Sequence, residues 1–170
     1  MSETLEPALP DHLDEQAERL MRRLCAAKLS IATAESCTGG MLAALLTDIE
    51  GAGSSFEHGF VTYSKEAKTE LLGIPRDVLE HNDAVSEIVA KAMAEGALER
   101  SQADIAIGVT GFAGPAGEDC EEGLVHMALA RRGRPTAHRE EHFGAVGRGS
   151  VRVNSLKAML EMLEQSLRGE

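Results

Sequence analysis

Eight consecutive residues, Thr33-Ala34-Glu35-Ser36-Cys37-Thr38-Gly39-Gly40, bring together an acid, two adjacent nucleophiles, a further hydroxyl and two glycines. A strand-like run, Leu29 to Ala34, leads in, and an apolar helix-like run, Met41 to Leu46, leads out, so the group sits on a strand-to-helix turn. Glycines let the backbone approach a ligand closely, and unpaired N–H groups at a helix start can hold an anion or an oxyanion. On thiol chemistry alone Cys37 is the expected nucleophile, because a cysteine near a helix N-terminus has a lowered pKa. Ser36 would need a separate base. The same residues also compose a hydroxyl-rich N-cap beside a buried cysteine.

A base is available in Tyr63-Ser64-Lys65-Glu66-Ala67-Lys68. Ser64 is an N-cap type, which puts Lys68 in the second turn of a helix, near its positive end and on the same side as Lys65. Both neighbours disfavour the ammonium and lower its pKa. A neutral lysine can take a proton from serine, and Tyr63, at the end of its strand, could relay or position it. Lys68 as a solvated surface residue and Tyr63 as a half-buried strand aromatic fit the pattern too.

A third segment, Thr110-Gly111-Phe112-Ala113-Gly114-Pro115-Ala116-Gly117, follows the most apolar strand and could wrap a phosphate or ribose with backbone N–H groups. It is neither a Walker A loop nor GxGxxG, and an ordinary connection reads the same way. Arg148 and Arg152 flank the start of the last helix, placed either to pair with phosphate or simply to be solvated. Of the six histidines the one tempting pair is His138 and His142. On a strand their Cα atoms would stand roughly 13 Å apart, so no metal site is expected.

The elements that must position these groups follow from periodicity. Leu13, Ala17, Leu20, Met21 and Leu24 mark a first helix with Asp11 as N-cap. Strands are expected at Ser30 to Ala34 and Phe56 to Tyr63, with helices at Thr38 to Asp48 and from Ser64 to Leu72, closed by Gly73. Ser86 caps an Ala-rich helix to about Arg100. A central strand, Ala103 to Thr110, precedes a hairpin of Leu124 to Ala130 and Ala137 to Phe143, and the last helix spans Ser150 to Leu167. Helices and strands alternate before a hairpin, which predicts a single-domain α/β protein: a three-layer α/β/α sandwich on a mixed sheet, over residues 11–170 after a tail at 1–10. Ligands in such sheets sit outside the carboxyl ends of the strands. The turns after Ala34, Tyr63 and Thr110 qualify if their strands are parallel.

Composition narrows the partners. Twenty-eight acids against 17 lysines and arginines, a net charge of −11, oppose a phosphate backbone, and one Tyr, four Phe and no Trp leave little to stack bases on. Nucleic acid is not an expected partner. Three cysteines without a CxxC pair indicate neither a disulfide framework nor a zinc cluster. The N-terminus lacks a signal-peptide pattern and no run approaches the ~18 apolar residues of a membrane span. A soluble, cytoplasmic protein with no membrane partner is expected.

In order along the chain stand TAESCTGG (33–40), GFVTYSKEAK (59–68), LLGI (71–74), AVSE (84–87) and VTGFAGPAG (109–117). This set resembles the C-terminal domain of the competence-damage-inducible protein CinA, whose stand-alone relatives are nicotinamide-nucleotide amidohydrolases. The resemblance implies hydrolysis of the carboxamide of nicotinamide mononucleotide (NMN) to nicotinate mononucleotide and ammonia, in pyridine nucleotide salvage, without a cofactor or metal. It assigns the nucleophile to Ser36, assistance to Lys68 and Tyr63, and packing to Cys37. Substrate contacts are expected at Glu35, Cys37, Thr38, Gly39, Gly40, Thr110, Gly111, Gly114 and Arg148, and the chain is expected to form a homo-oligomer, a dimer, acting on a small nucleotide.

The match departs from the family pattern at the rim. The Lys-Pro-Val expected after the AGP loop is replaced by Glu118-Asp119-Cys120-Glu121-Glu122, and the F-x-G-D-R before the last helix becomes Phe143-Gly144-Ala145-Val146-Gly147-Arg148. AVSEP has become AVSEI, and Gly51-Ala52-Gly53 stands where the family has a GSS segment before GFVTYS. A non-catalytic nucleotide-binding or regulatory module and an amidase for another small amide are the competing readings.

Overall fold

In a computed structural model, which describes residues 9–115 and 117–168, five strands form one mixed sheet in the order β2-β1-β3-β4-β5. The strands are β1 (Ile31–Glu35), β2 (Phe56–Val61), β3 (Ile105–Gly111), β4 (Leu124–Arg131) and β5 (Arg134–His142). The helices are α1 (Asp11–Ala27), α2 (Met41–Thr47), α3 (Lys65–Leu72), α4 (Arg76–His81), α5 (Glu87–Glu99) and α6 (Arg148–Ser166). The expected tail lies, through residue 8, outside the described residues. β1 runs parallel to both β2 and β3, while β4 and β5 add the antiparallel hairpin. The three parallel strands therefore point their carboxyl ends, and the loops after them, the same way.

Two cores sandwich the sheet. Leu13, Leu20, Leu24, Leu42, Leu46, Val151, Leu156 and Leu160 pack α1, α2 and α6 on Ile31, Ile105, Ile107 and Met127. On the other face Leu72, Leu79, Val89 and Met93 pack α3, α4 and α5 on Ala32, Ala34, Phe60 and Ala106. The small side chains of β1 and β3 let α5 lie close, and Gly96 lets α3 do the same: a Cβ there would stand 2.3 Å from the carbonyl oxygen of Leu72. The helix carrying Lys68 is thus drawn tight against the sheet.

The caps at Ser64 and Ser86 form as expected, their hydroxyls accepting from Ala67 N (3.0 Å) and Val89 N (3.3 Å), and Gly73 closes α3 in the left-handed region. Three expectations are corrected. The N-cap of α1 is Pro10 and Asp11 is its first helical residue. β2 stops at Val61, and Thr62 N makes the last bond of the ladder, to the carbonyl of Glu35 (2.8 Å). And α2 begins only at Met41, since Gly39 and Gly40 take positive φ (61° and 96°), a turn geometry rather than a helical one. The short α4 was not anticipated, because six residues after Ile74-Pro75 offer less than two turns of periodicity. Among the described residues no helix is long and apolar enough to cross a membrane.

Candidate active site

Side chains alternate along β1, and this sends Glu35 and Ser36 in opposite directions. Glu35 turns toward α2. Ser36, one residue on, meets Lys68 from α3: the lysine Nζ donates to Ser36 Oγ at 3.1 Å. The same nitrogen donates to the carbonyl oxygens of Thr62 (2.8 Å) and Tyr63 (3.3 Å), so three acceptors fix it. Ser36 N in turn donates to Val109 O (3.1 Å), which ties the turn to the central strand.

Lys68 is 1% exposed and among the largest fully buried side chains. Burial pushes its pKa down from 10.5 to about 8, with Cys37 acting in the opposite sense. The direction agrees with the sequence reading but the cause does not: Lys65 is exposed, and it is withdrawal from water, not like charge, that disfavours the ammonium. Cys37 reverses the thiol expectation. Only 4% exposed and part of the α1/α2/α6 core, its thiol is pushed up to about 11 by burial, against the lowering effects of its own backbone N–H and of Arg152. It is a packed thiol, and Ser36 is the residue placed against Lys68.

The residues expected to meet substrate divide by what they already touch. Glu35, 0% exposed, accepts from Thr38 Oγ1 (2.6 Å), Gly40 N (3.2 Å) and Leu42 N (3.0 Å) on one oxygen and from Ala43 N (2.8 Å) on the other. Its carboxylate and the Thr38 hydroxyl are thus bonded to each other and to amides within the turn and the start of α2. Thr110 likewise gives its hydroxyl proton to Ala84 O (2.6 Å), fastening β3 to the AVSE segment. Gly111 completes β3, paired with Val125. Gly39 N donates to Ser36 O (3.1 Å) and Met41 N to Thr38 O (3.2 Å). Among the described residues the amides of Cys37 and Thr38 are the two in residues 36–41 that donate to no other residue.

Tyr63, beside the pair, is 68% exposed and contributes its carbonyl, not its phenol, to Lys68. Val61, half-exposed beside it, stands over Gly40, where a Cβ would come within 3.3 Å of Val61 Cγ2. From α6, two arginines four residues apart reach the two loops. Arg152 Nε donates to Cys37 O (2.8 Å), and Arg148 covers Gly114, where a Cβ would stand 2.6 Å from its Nη2. Neither arginine pairs with a carboxylate among the described residues. Of the acidic segment, Glu121 bonds His142 Nδ1 (2.6 Å), whose Nε2 bonds Glu140 (2.8 Å), and those two carboxylates hold the imidazole above its ordinary pKa. His138 meets His126 (3.1 Å) rather than His142. No group of three His, Cys, Asp or Glu fit to hold a metal occurs among the described residues.

Fold and site together describe a three-layer α/β/α protein with a buried serine–lysine pair at the carboxyl edge of its parallel strands. The family described as CinA C-terminal domain matches residues 13–167. A CinA-like protein of Syntrophus aciditrophicus is 44% identical over 167 residues, covering 97% of this chain and 37% of the relative. A CinA-like protein of Akkermansia muciniphila is 51% identical over 135 residues, 78% of this chain and 30% of the relative. The chain thus spans well under half the length of these curated relatives. The crystal structure of competence/damage inducible protein CihA from Agrobacterium tumefaciens superposes with a TM-score of 0.89 at 40% identity, covering 94% of this chain and 97% of that one. A CinA superfamily protein from Escherichia coli does so at 0.85 and 36%, covering 91% and 90%. The chain belongs to the CinA C-terminal domain family.

Proposed function

We propose that the chain is a Ser-Lys amidohydrolase that deamidates nicotinamide mononucleotide. The observation that carries this reading is the 3.1 Å contact of a buried, pKa-lowered Lys68 with the hydroxyl of Ser36. Neutral Lys68 takes the proton of Ser36 as Oγ attacks the carboxamide carbon, and the carbonyl oxygen becomes an oxyanion. The amides of Cys37 and Thr38 serve as its donors. Lys68 then gives its proton to the departing nitrogen, which leaves as ammonia, and an ester on Ser36 remains. Water attacks that ester, Lys68 receives the water's proton and returns it to Oγ, and nicotinate mononucleotide is released.

The paired arginines support a substrate bearing an anionic group, with Arg148 placed against the AGP loop for the phosphate. Tyr63 and Val61, exposed at the mouth, offer an apolar side for the pyridine ring. The test is steady release of ammonia and nicotinate mononucleotide from NMN by the purified protein, lost in Ser36→Ala; binding of NMN without turnover would instead make the chain a non-catalytic nucleotide module. An amidase for another small amide, one without a phosphate, is a second reading, favoured by Glu118 and Glu122 in place of the family's lysine stretch. Faster turnover of nicotinamide riboside than of NMN would select it.

A further inference from the structure

Helix α2 starts on Gly40, a residue with no side chain to cap it. The donors that an N-cap would satisfy are taken by Glu35, five residues upstream and on a different element. Its two carboxylate oxygens accept four hydrogen bonds, three from backbone amides of the α2 start (Gly40, Leu42, Ala43) and one from Thr38. Its main-chain carbonyl accepts Thr62 N (2.8 Å), and the carbonyl of Thr62 holds Lys68 Nζ. One residue therefore binds the start of the helix after the nucleophile, the strand before it and the segment that holds the base.

We infer that Glu35 is the positioning residue of the Ser36–Lys68 pair. Its side chain sets the turn that aims Ser36 Oγ and leaves Cys37 N and Thr38 N as the open amides, while its backbone sets the carbonyl that orients the lysine. The inference rests on the Ser36 nucleophile reading. Chemistry at this position tolerates no near substitute. Aspartate is one methylene too short to span from β1 to α2. Glutamine keeps the length but turns one acceptor into an NH2 group, donor facing donor against either Ala43 N or the Thr38, Gly40 and Leu42 set. Because Glu35 is completely buried and touches only turn and helix groups, its loss should act on the chemical step and not on the grip of the substrate.

The test compares wild type, Glu35→Gln and the milder Thr38→Val, which removes one of the four donors at little change in volume. Rates with NMN across pH 6–10 are measured beside circular dichroism and the Nζ resonance of Lys68 labelled with nitrogen-15. Glu35→Gln is expected to lower kcat at least tenfold with KM within threefold, and to leave the pH midpoint near 8, since Lys68 owes its value to burial. Thr38→Val should lower kcat about threefold. A rate within twofold of wild type per folded molecule overturns the inference, as does a large rise in KM at unchanged kcat, which would make Glu35 a substrate contact. If wild type turns over no amide at all, the nucleophile reading falls separately. In that event the Lys68 resonance decides: a shift in Glu35→Gln comparable to that in Ser36→Ala supports positioning, and an unmoved resonance overturns it.

Discussion

Ser36 and Lys68, 32 residues apart in the chain, share a 3.1 Å hydrogen bond beneath a surface that leaves the lysine 1% exposed. The pair unites the end of β1 with the first turns of α3. The behaviour expected of the protein follows from how it is buried and what surrounds it.

Of the two adjacent nucleophiles, only Ser36 faces the lysine. Ser36→Ala is expected to abolish turnover of NMN, whereas Cys37→Ala retains most of kcat and costs about 1 kcal/mol of stability as a small core truncation. Wild-type Cys37 should also react slowly with iodoacetamide at pH 7, its thiol being held up near 11. Steady-state rates and alkylation kinetics check both, and an inactive Cys37→Ala with an active Ser36→Ala would reverse the assignment.

Activity should climb with pH through about 8, as Lys68 loses its proton. Stability carries the matching sign. The folded value of about 8 lies below the ordinary 10.5, so between the two the unfolded chain binds more protons than the folded one, and stability rises with pH. Below 8 the cost of burying the ammonium is fully present. Lys68→Met is expected to be inactive and folded, and its urea midpoint should lack the wild type's rise from pH 8 to 10. Parallel slopes in the two proteins would mean that Lys68 titrates in water.

Tyr63 bonds Lys68 through its main-chain carbonyl, not its phenol, and its side chain is exposed. Tyr63→Phe should therefore keep most of kcat, while Tyr63→Ala raises KM for NMN several-fold. A tenfold or larger loss of kcat in the phenylalanine variant would give the phenol a part in proton transfer.

Arg148→Ala should raise KM for NMN about tenfold and leave nicotinamide riboside, which has no phosphate, within twofold. Gly114→Ala should weaken NMN in the same direction, because its Cβ would meet the flexible end of Arg148. Equal effects on both substrates would remove the arginine from phosphate recognition.

At Gly96 two effects oppose each other. Alanine favours a helix interior over glycine by about 1 kcal/mol, but a Cβ 2.3 Å from the Leu72 carbonyl must push α3 off α5, and overpacking costs about 1 to 3 kcal/mol. Gly96→Ala is expected to be net destabilising and, by shifting Lys68 with α3, less active per folded molecule. Thermal melts and rates measured on the same samples separate the two losses.

Much of this is legible in the sequence. An apolar run, a pair of glycines and a second apolar run announce a strand-turn-helix around Ser36, and Ser64 and Ser86 announce caps, because these depend on neighbours within a few residues. What escaped depends on distant ones. Thiol chemistry favoured Cys37, since nothing in its neighbours says that α6 will seal it in. Lys68 reads either as a base whose pKa is lowered by Lys65 and the helix start or as a solvated surface residue, whereas it is burial between α3 and the sheet that lowers it. Glu35 read as a ligand contact, although its partners, at positions 38 to 43, were close enough in sequence to suggest a cap. The pairing of Ser36 with Lys68 is offered by residue types and strengthened by the family resemblance, but no local pattern fixes it, because it depends on β2 lying parallel beside β1.

That parallel alignment has an offset: the register of β1 on β2 shifts between Ile31 and Ala32, pairing Ile31 with Phe56 but Ala32 with His58. The skipped residue, Glu57, decides which of the following side chains face α3 and brings Val61 level with Glu35. A chain that paired without the skip would reverse the faces of an edge strand and carry the Thr62 carbonyl about 3.3 Å along the sheet, out of reach of the lysine it holds. Under the proposed amidohydrolase function, turnover becomes a proofreading signal for assembly: the Ser36–Lys68 pair forms only when the outermost parallel strand has joined in the one correct alignment, and a misregistered molecule, however compact, would be silent.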